Sequence, residues 1–202
     1  LTHNKSKRYC ALQKELSWIQ HYQAETRRRQ HIGLANHLLS LGDCFYVEDM
    51  AWPSLTHRAK ETAISEKTGR IKRKKRFGKS VANKAPATLI GILEQKCNSL
   101  GLPGVMKVPT SLRASQYNHQ SGEYTSKPLS QRWNNMPDGE RIQRDLYSAF
   151  LLQHYDPKAG NFDSALLQQD YPQFVQYHHR AIQRLSTVPK TLSSMGIQRS
   201  LR

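Results

Sequence analysis

Residues 115–150 read SQYNHQSGEYTSKPLSQRWNNMPDGERIQRDLYSAF. The first two thirds of this stretch are rich in turn formers and carry two closing glycines, Gly122 and Gly139, in the manner of a small metal-binding ribbon. The last third places Asp145 at the head of an apolar helical repeat. The stretch therefore predicts an irregular insert that leads directly into a helix with an acid in its first turn.

The ribbon-like insert does not carry the residues that hold a metal. A zinc ribbon needs two turns, each with a close pair of Cys or His ligands. Here the pairs fall on Asn118 with Ser121 and on Met136 with Asp138, and His119 with Asp138 would leave a tetrahedral site two ligands short. Zinc is therefore not expected, and aromatic packing is expected to hold the insert together. The side chains available for that packing are Tyr117, Tyr124 and Trp133.

The composition indicates a polyanionic partner. Of 202 residues, 31 are Lys or Arg and 15 are Asp or Glu, which gives a formal net charge of +16. Such an excess is most often associated with nucleic acid. Membrane binding is the rival interpretation, but the sequence has no run of about 18 apolar residues that could span a bilayer. The three cysteines are far apart, which favours a reducing compartment.

The apolar pattern alternates between helices and short strands, which favours an α/β layer fold with parallel strands. The strands are too few for a complete sheet. The tail is polar and rich in Gln, and its last residues, 186–202, are expected to be disordered. Helices are predicted at residues 5–40 (with a break near 27–29 left open), 84–98, 142–155 and 173–185, and strands at residues 44–47 and 105–108.

Two acids occupy positions that suit a metal site. Glu48 follows the first predicted strand, and Asp145 lies in the first turn of a later helix. Ligand sites in open α/β sheets collect at the carboxyl ends of strands, and carboxylates there could hold Mg²⁺. Two such ions about 4 Å apart can activate water and stabilise the leaving oxygen in phosphodiester cleavage. The alternative is that Asp145 only complements the helix dipole and Glu48 is a solvated strand end.

Residues 67–80 read KTGRIKRKKRFGKS and predict an exposed basic loop. Runs of this kind contact phosphates and give an affinity that depends on salt and not on base sequence. The alternative is a solvated charge run or a targeting patch. The net charge of the chain favours nucleic acid. The basic residues concerned are Arg70, Lys72, Arg73, Lys74, Lys75, Arg76 and Lys79.

Four blocks of the sequence, taken together and in order, resemble one protein family. They read GDCFYVEDM at residues 42–50, FGKSV at 77–81, KPLSQRW at 127–133 and QRDLYSAF at 143–150. In this order and spacing they resemble the C-terminal RuvC-like half of the TnpB proteins. These are the RNA-guided nucleases of insertion sequences and relatives of type V CRISPR effectors. The resemblance covers roughly residues 25–155.

The resemblance implies an RNase H-like (RuvC-like) fold that is incomplete at its N-terminus. Glu48 and Asp145 would be the second and third acids of a Mg²⁺ site, while the family's first acid lies on an early strand that this chain lacks. DNA and a guide RNA would be the partners, together with the remaining N-terminal part of the nuclease. Arg132 and Arg144 would add nucleic-acid contacts. The resemblance also implies a cytoplasmic, nucleoid-associated prokaryotic protein. The chain begins at Leu1 with neither Met nor a signal-peptide pattern, so we expect a fragment or a processed segment.

The same resemblance divides the chain into four parts. Residues 1–112 would be the middle part of the nuclease domain, with residues 67–80 as lid and helix entry. Residues 113–141 would be a degenerate zinc-ribbon insert, residues 142–156 the final helix with Asp145, and residues 157–202 a polar, partly disordered tail.

Three functions remain open at this point. The predicted one is a Mg²⁺-dependent, RNA-guided DNA endonuclease of which this chain is the C-terminal part. The absence of the first catalytic acid from the chain leaves two alternatives. One is a catalytically inactive, guided repressor-like binding protein, and the other is a mobile-element fragment without function.

Overall fold

The structure is a computed structural model that describes residues 5–56, 62, 64–66, 68–71, 77–188 and 193–198. It combines α-helices with small two-stranded sheets, which confirms the mixed α/β class. The α-helices are α1 (Lys7–Leu39), α2 (Trp52–Thr56), α3 (Phe77–Lys84), α4 (Pro86–Leu100), α5 (Arg144–Gln153) and α6 (Ser164–Ser186). The strands are β1 (Cys44–Glu48), β2 (Gly104–Val108), β3 (Tyr117–Asn118), β4 (Glu123–Tyr124), β5 (Trp133–Asn135), β6 (Arg141–Gln143), β7 (Tyr155–Asp156) and β8 (Asn161–Phe162).

The chain forms two compact units. The first contains Leu1–Phe45 and Ala51–Val105, and the second contains Tyr46–Met50 and Met106–Arg202. The insert, the final helix and the tail of the predicted division all fall in the second unit.

Helix α1 lies within residues 5–40, where the sequence predicted a helix. It begins after Ser6, whose side chain accepts a hydrogen bond from the backbone N–H of Tyr9 at 3.1 Å, as a helix N-cap does. It continues without a break through residues 27–29. No helix in the described part of the chain has the length and apolar character needed to cross a bilayer. The first half of α1 nevertheless leaves large apolar side chains exposed, namely Tyr9, Leu12, Leu16, Trp18 and Tyr22.

The first unit is built on the packing of α1 against α4. Ala35 of α1 and Leu93 and Cys97 of α4 are buried at its centre. Helix α4 begins at Pro86, whose fixed φ suits a first helical position. It ends at Gly101, whose positive φ of 67° is common at helix ends. The predicted helix at residues 84–98 is thus present, shifted by two residues.

Strands β1 and β2 pair as a two-stranded sheet. Near the first ends of the strands, the N–H of Gly104 donates to the carbonyl of Asp43 at 3.3 Å. Near their last ends, the N–H of Asp49 donates to the carbonyl of Val108 at 2.9 Å. The N-terminal ends of the two strands therefore lie side by side, and so do their C-terminal ends, as in the expected parallel arrangement. Both strands fall where the apolar runs predicted them.

The second unit is organised around one apolar cluster. Strands β3 and β4, and strands β5 and β6, form two antiparallel hairpins whose side chains pack with α5 and α6. On α5, Tyr147, Phe150 and Leu151 are buried at a spacing that places them on one helical face. Ile142 of β6 and Leu167 of α6 are fully buried beside them. The insert, the final helix and the tail therefore share a single core.

The helix predicted at residues 173–185 of the tail is present as part of a longer helix. The antiparallel β7–β8 hairpin is followed by α6 (Ser164–Ser186). Its N-cap is Asp163, whose carboxylate accepts from two backbone N–H groups at 3.0 Å. Its buried residues Leu167, Tyr171 and His178 lie on one face of an otherwise polar helix. Within the expected disordered segment, Ile197 is only 3% exposed. Residues 189–192 and 199–202 lie outside the described residues.

Candidate functional site

Glu48 lies where the sequence placed it, at the carboxyl end of β1. The residue is half-buried. Directly after it, the N–H of Met50 donates to the carbonyl of Glu48 at 2.8 Å, so the chain turns there. Glu48 is therefore the last residue of the strand, directly before a turn of the chain.

Asp145 lies in the first turn of α5, as predicted. Gln143 is the N-cap of this helix: its side-chain oxygen accepts from the N–H of Leu146 at 2.8 Å. The amide nitrogen of the same side chain donates to Oδ2 of Asp145 at 3.1 Å, and Arg144 Nε lies 3.5 Å from Oδ1. The Asp145 side chain is 47% exposed. Two neighbouring side chains thus orient the carboxylate while it remains accessible to an external ligand.

The acids of the described residues do not by themselves complete a metal site. Among these residues, no group of three or more His, Cys, Asp or Glu side chains could hold an ion. Mg²⁺ requires near-octahedral oxygen coordination, to which two carboxylates contribute only part of the ligands. Glu48 and Asp145 therefore stay predicted ligands.

The predicted nucleic-acid-binding residues do not form one continuous described patch. Arg70 is exposed, next to an isolated antiparallel bridge between Ile64 and Ile71. Residues 72–76, with Lys72, Arg73, Lys74, Lys75 and Arg76, lie outside the described residues. Lys79 belongs to α3, which replaces the last part of the predicted loop, but its side chain is not described. Nucleic-acid binding by most of this basic segment therefore stays a prediction.

The other two predicted arginines have different surroundings. Arg132 is half-buried and lines, with Arg141, a cavity of about 390 Å³ on the second unit. Arg144 is only 7% exposed, and its Nη1 donates to the carbonyl of Pro128 at 3.3 Å. Arg144 therefore has a structural role in this conformation, whereas Arg132 remains accessible to a ligand.

The insert has two turns, here called knuckles, and each contains one of the glycines noted in the sequence. In the first turn, the carbonyl of Asn118 accepts from the N–H of Gly122 at 2.8 Å, and Gly122 has a positive φ of 71°. In the second turn, the carbonyl of Met136 accepts from the N–H of Gly139 at 3.0 Å, and Gly139 has a φ of 89°. Glycine takes up this left-handed backbone without the strain that a side chain would add.

A side-chain hydrogen bond joins the two knuckles where a ribbon would hold its metal. The amide nitrogen of Gln120 donates to Oδ2 of Asp138 at 2.8 Å, and Oδ1 of Asp138 accepts from the N–H of Glu140 at 3.0 Å. Burial opposes the charged form of Asp138, but these hydrogen bonds outweigh it and lower the pKa of this carboxyl below its ordinary value. Met136, predicted at a ligand position, is instead 5% exposed in the apolar core.

His119 anchors the insert to α5, a contact that sequence reasoning missed. Its backbone N–H donates to the hydroxyl of Tyr147 at 3.1 Å, and its Nδ1 lies 2.7 Å from the same oxygen. The ring is 4.7 Å from the ring of Tyr171, centre to centre. Burial lowers the pKa of His119 and so favours its neutral imidazole. His119 and Tyr147 are 28 positions apart in the sequence, and no local pattern signals their contact.

The expected aromatic packing is present, but in two separate places. Tyr117 lies 5.0 Å from Tyr124 and 5.4 Å from Phe162, ring centre to ring centre. Trp133 does not join them: it packs edge-on against His178 at 6.1 Å. Its indole N–H also donates to the carbonyl of Gly196 at 2.9 Å. His178 and Gly196, the partners of Trp133 named here, therefore belong to the tail. The sequence had predicted that Trp133 packs within the insert.

With this geometry established, comparison with known proteins adds no relative. No protein-family model, curated protein or solved structure matches the chain. The observations that bear on function are the four sequence blocks, the placement of Glu48 and Asp145, and the charge of the chain.

Proposed function

We propose that this chain is part of an RNA-guided, Mg²⁺-dependent DNA endonuclease of the TnpB type, with an RNase H-like (RuvC-like) fold. The observation that carries the proposal is an order of structural elements. A strand pair with Glu48 at its carboxyl end is followed by two knuckle-shaped hairpins, and these lead directly into a helix with Asp145 in its first turn. This is the order that the four sequence blocks imply. The proposed compartment is the cytoplasm of a prokaryote.

In this proposal, Glu48 and Asp145 supply oxygen ligands of the kind that Mg²⁺ prefers. The bound ions would activate water and stabilise the leaving oxygen of a phosphodiester. Gln143 and Arg144 would act on the orientation of the Asp145 carboxylate, which they contact at 3.1 Å and 3.5 Å. A third acid would come from a part of the nuclease outside this chain.

The positive charge supports nucleic acid as the partner. A net charge of +16 provides many contacts to phosphates, whose strength falls as salt rises. Such contacts do not read base sequence, which in guided nucleases is supplied by pairing with the guide RNA. Basic side chains exposed along α1, such as Lys7, Arg8, Lys14, Arg28 and Arg29, are candidates for these contacts.

A nucleic-acid-binding protein that does not cleave is the second candidate. Two observations favour it. No group of three potential metal ligands occurs among the described residues, and both carboxylate oxygens of Asp145 already lie near protein groups. Such a protein would keep the salt-dependent binding and lose the hydrolysis.

The test uses the protein encoded by the complete gene, assembled with its guide RNA and Mg²⁺. Glu48→Gln and Asp145→Asn should each abolish cleavage of a guide-matched DNA and leave binding of that DNA intact. Glu123→Gln, which changes an exposed acid of β4, is the matched control and should cleave as the wild type does.

Three outcomes separate the candidates. Unchanged cleavage by either site variant would refute the catalytic assignment. Binding without cleavage by the wild type would favour the second candidate. An affinity for nucleic acid that does not fall with rising salt would refute both.

A further inference from the structure

A cleft of about 280 Å³ lies in the second unit, bordered by both hairpins and by Tyr147 of α5. This volume is near the lower end of the roughly 300–1,000 Å³ that is usual for small-molecule sites. It suits one flat ring system better than a large ligand. The lining is dominated by polar side chains that the proposed nuclease chemistry does not use, namely Asn118, Thr125, Lys127, Gln131, Asn134 and Asn135.

Asn134 is the most unusual residue of this cleft. It is 3% exposed, yet neither its amide nitrogen nor its amide oxygen has a hydrogen-bond partner among the described residues. Asn134 pairs with Ile142 across the β5–β6 hairpin, and Ile142 lies in the apolar core. Directly paired residues place their side chains on the same face of a hairpin, so the Asn134 side chain is on the inner face. Buried side-chain amides without partners are rare in native proteins.

An unpartnered carboxamide offers a donor and an acceptor side by side. This is the pattern that Asn and Gln use to contact the edge of a nucleobase, as in the bidentate pairing with adenine. The aromatic rings of Tyr117 and Tyr147 also line the cleft. Base recognition by proteins commonly combines edge hydrogen bonds with aromatic neighbours.

Lys127 adds a positive charge to the same cleft. It is half-buried, and none of the ion pairs of the described residues includes it. Burial, together with repulsion from Arg144, lowers the pKa of Lys127. A lysine that is half-buried beside another cation would gain from an anionic group, and a phosphate is such a group.

We propose that this cleft binds one unpaired nucleotide of a nucleic-acid strand, with the base beside Asn134 and the phosphate at Lys127. The inference rests on the proposed function, because it assumes that the chain binds nucleic acid. It adds a base-reading position to a surface that otherwise contacts only phosphates.

The test measures binding of the full 202-residue chain to two fluorescently labelled 12-nucleotide strands. One strand carries adenine bases, and the other is abasic with the same phosphates. The adenine strand should bind more tightly. Asn134→Leu should weaken binding of the adenine strand about tenfold, in line with the loss of one bidentate contact, and leave the abasic strand unaffected. Lys127→Gln should reduce the slope of log K against log salt by about 0.7 for both strands.

Matched controls use exposed residues of the second unit that do not line the cleft. Gln169→Leu and Lys158→Gln should bind both strands as the wild type does. A thermal melt separates binding from folding. Replacing an unpartnered buried amide by a side chain of similar size should leave Tm unchanged or raise it. A lowered Tm for Asn134→Leu would show that ordered water or protein groups satisfy the amide, and would overturn the inference.

AMP, tested as a competitor, separates a free nucleotide from a nucleotide within a strand. If millimolar AMP does not displace the adenine strand, the result supports the proposal that the cleft binds a nucleotide within a strand. If the protein binds AMP but neither strand, the proposal is overturned. If both site variants bind like the wild type while affinity still falls with salt, the inference fails and the proposed function stands. If the wild type binds neither strand nor AMP, both fail.

Discussion

Tyr147→Phe is the substitution that best tests how the second unit is held together. The change removes one hydroxyl and keeps the ring, which is 1% exposed in the apolar cluster. That hydroxyl is the partner of two groups of His119, the backbone N–H at 3.1 Å and Nδ1 at 2.7 Å. The substitution therefore removes the anchor between insert and helix without creating a large cavity.

The expected cost follows from the groups left behind. A hydrogen bond typically contributes about 0.5–1.5 kcal/mol net, and a buried polar group that loses its partner costs about 1–3 kcal/mol. His119 is 7% exposed, so water cannot readily replace the hydroxyl. We expect the free energy of unfolding of the second unit to fall by about 2–4 kcal/mol.

Urea denaturation followed by tryptophan fluorescence measures this change. The second unit contains Trp133, and replacing Trp18 and Trp52 by Phe leaves Trp133 as the single reporter. Tyr177→Phe is the control, because that hydroxyl accepts one hydrogen bond from Gln173 on a side chain that is 57% exposed. The control should change the free energy by less than about 0.5 kcal/mol. An equally small effect of Tyr147→Phe would refute the proposed anchor.

Two further predictions concern protons and metal. Burial lowers the pKa of both His119 and His178, so the unfolded chain takes up protons first as pH falls below the ordinary value of 6.5. The second unit should therefore be most stable above this pH and lose up to about 1.4 kcal/mol per His for each pH unit below it, until the folded protein is protonated too. Urea denaturation at pH 7.5, 6.5 and 5.5 measures this, and a constant stability would contradict it. Because the Gln120–Asp138 hydrogen bond and the core hold the knuckles, neither a zinc-selective chelator nor added zinc should change Tm. A lower Tm after chelation would reveal a bound metal.

Elements with a clear local signal were predictable from the sequence. Strands β1 and β2 appear as short apolar runs, and α5 has an apolar repeat next to an acid, so each lies within about two residues of its predicted position. The two knuckle turns were predictable because Gly122 and Gly139 mark positions that need positive φ. Asp145 and Glu48 also occupy their predicted places, because helix starts and strand ends are encoded by nearby residues.

The tail shows where this reasoning fails. In its Gln-rich sequence a helix was predicted only at residues 173–185, yet four buried or half-buried residues, Leu167, Tyr171, Phe174 and His178, recur every three or four positions along the longer α6. A single apolar stripe on a polar helix gives little stability until a partner surface covers it. Here that surface comes from the insert and α5, which average composition cannot reveal.

The sequence by itself determined the local elements, the excess of positive charge and the absence of zinc-ligand pairs in the insert. Only the tertiary structure decided which side chains meet. His119 meets Tyr147, Gln120 meets Asp138, and His178 accepts from the backbone N–H of Gln143. These partners are 28, 18 and 35 residues apart, so no local period encodes their contact. The physical reason is that helix and turn signals act within a few residues, whereas these hydrogen bonds form only after distant elements pack and exclude water.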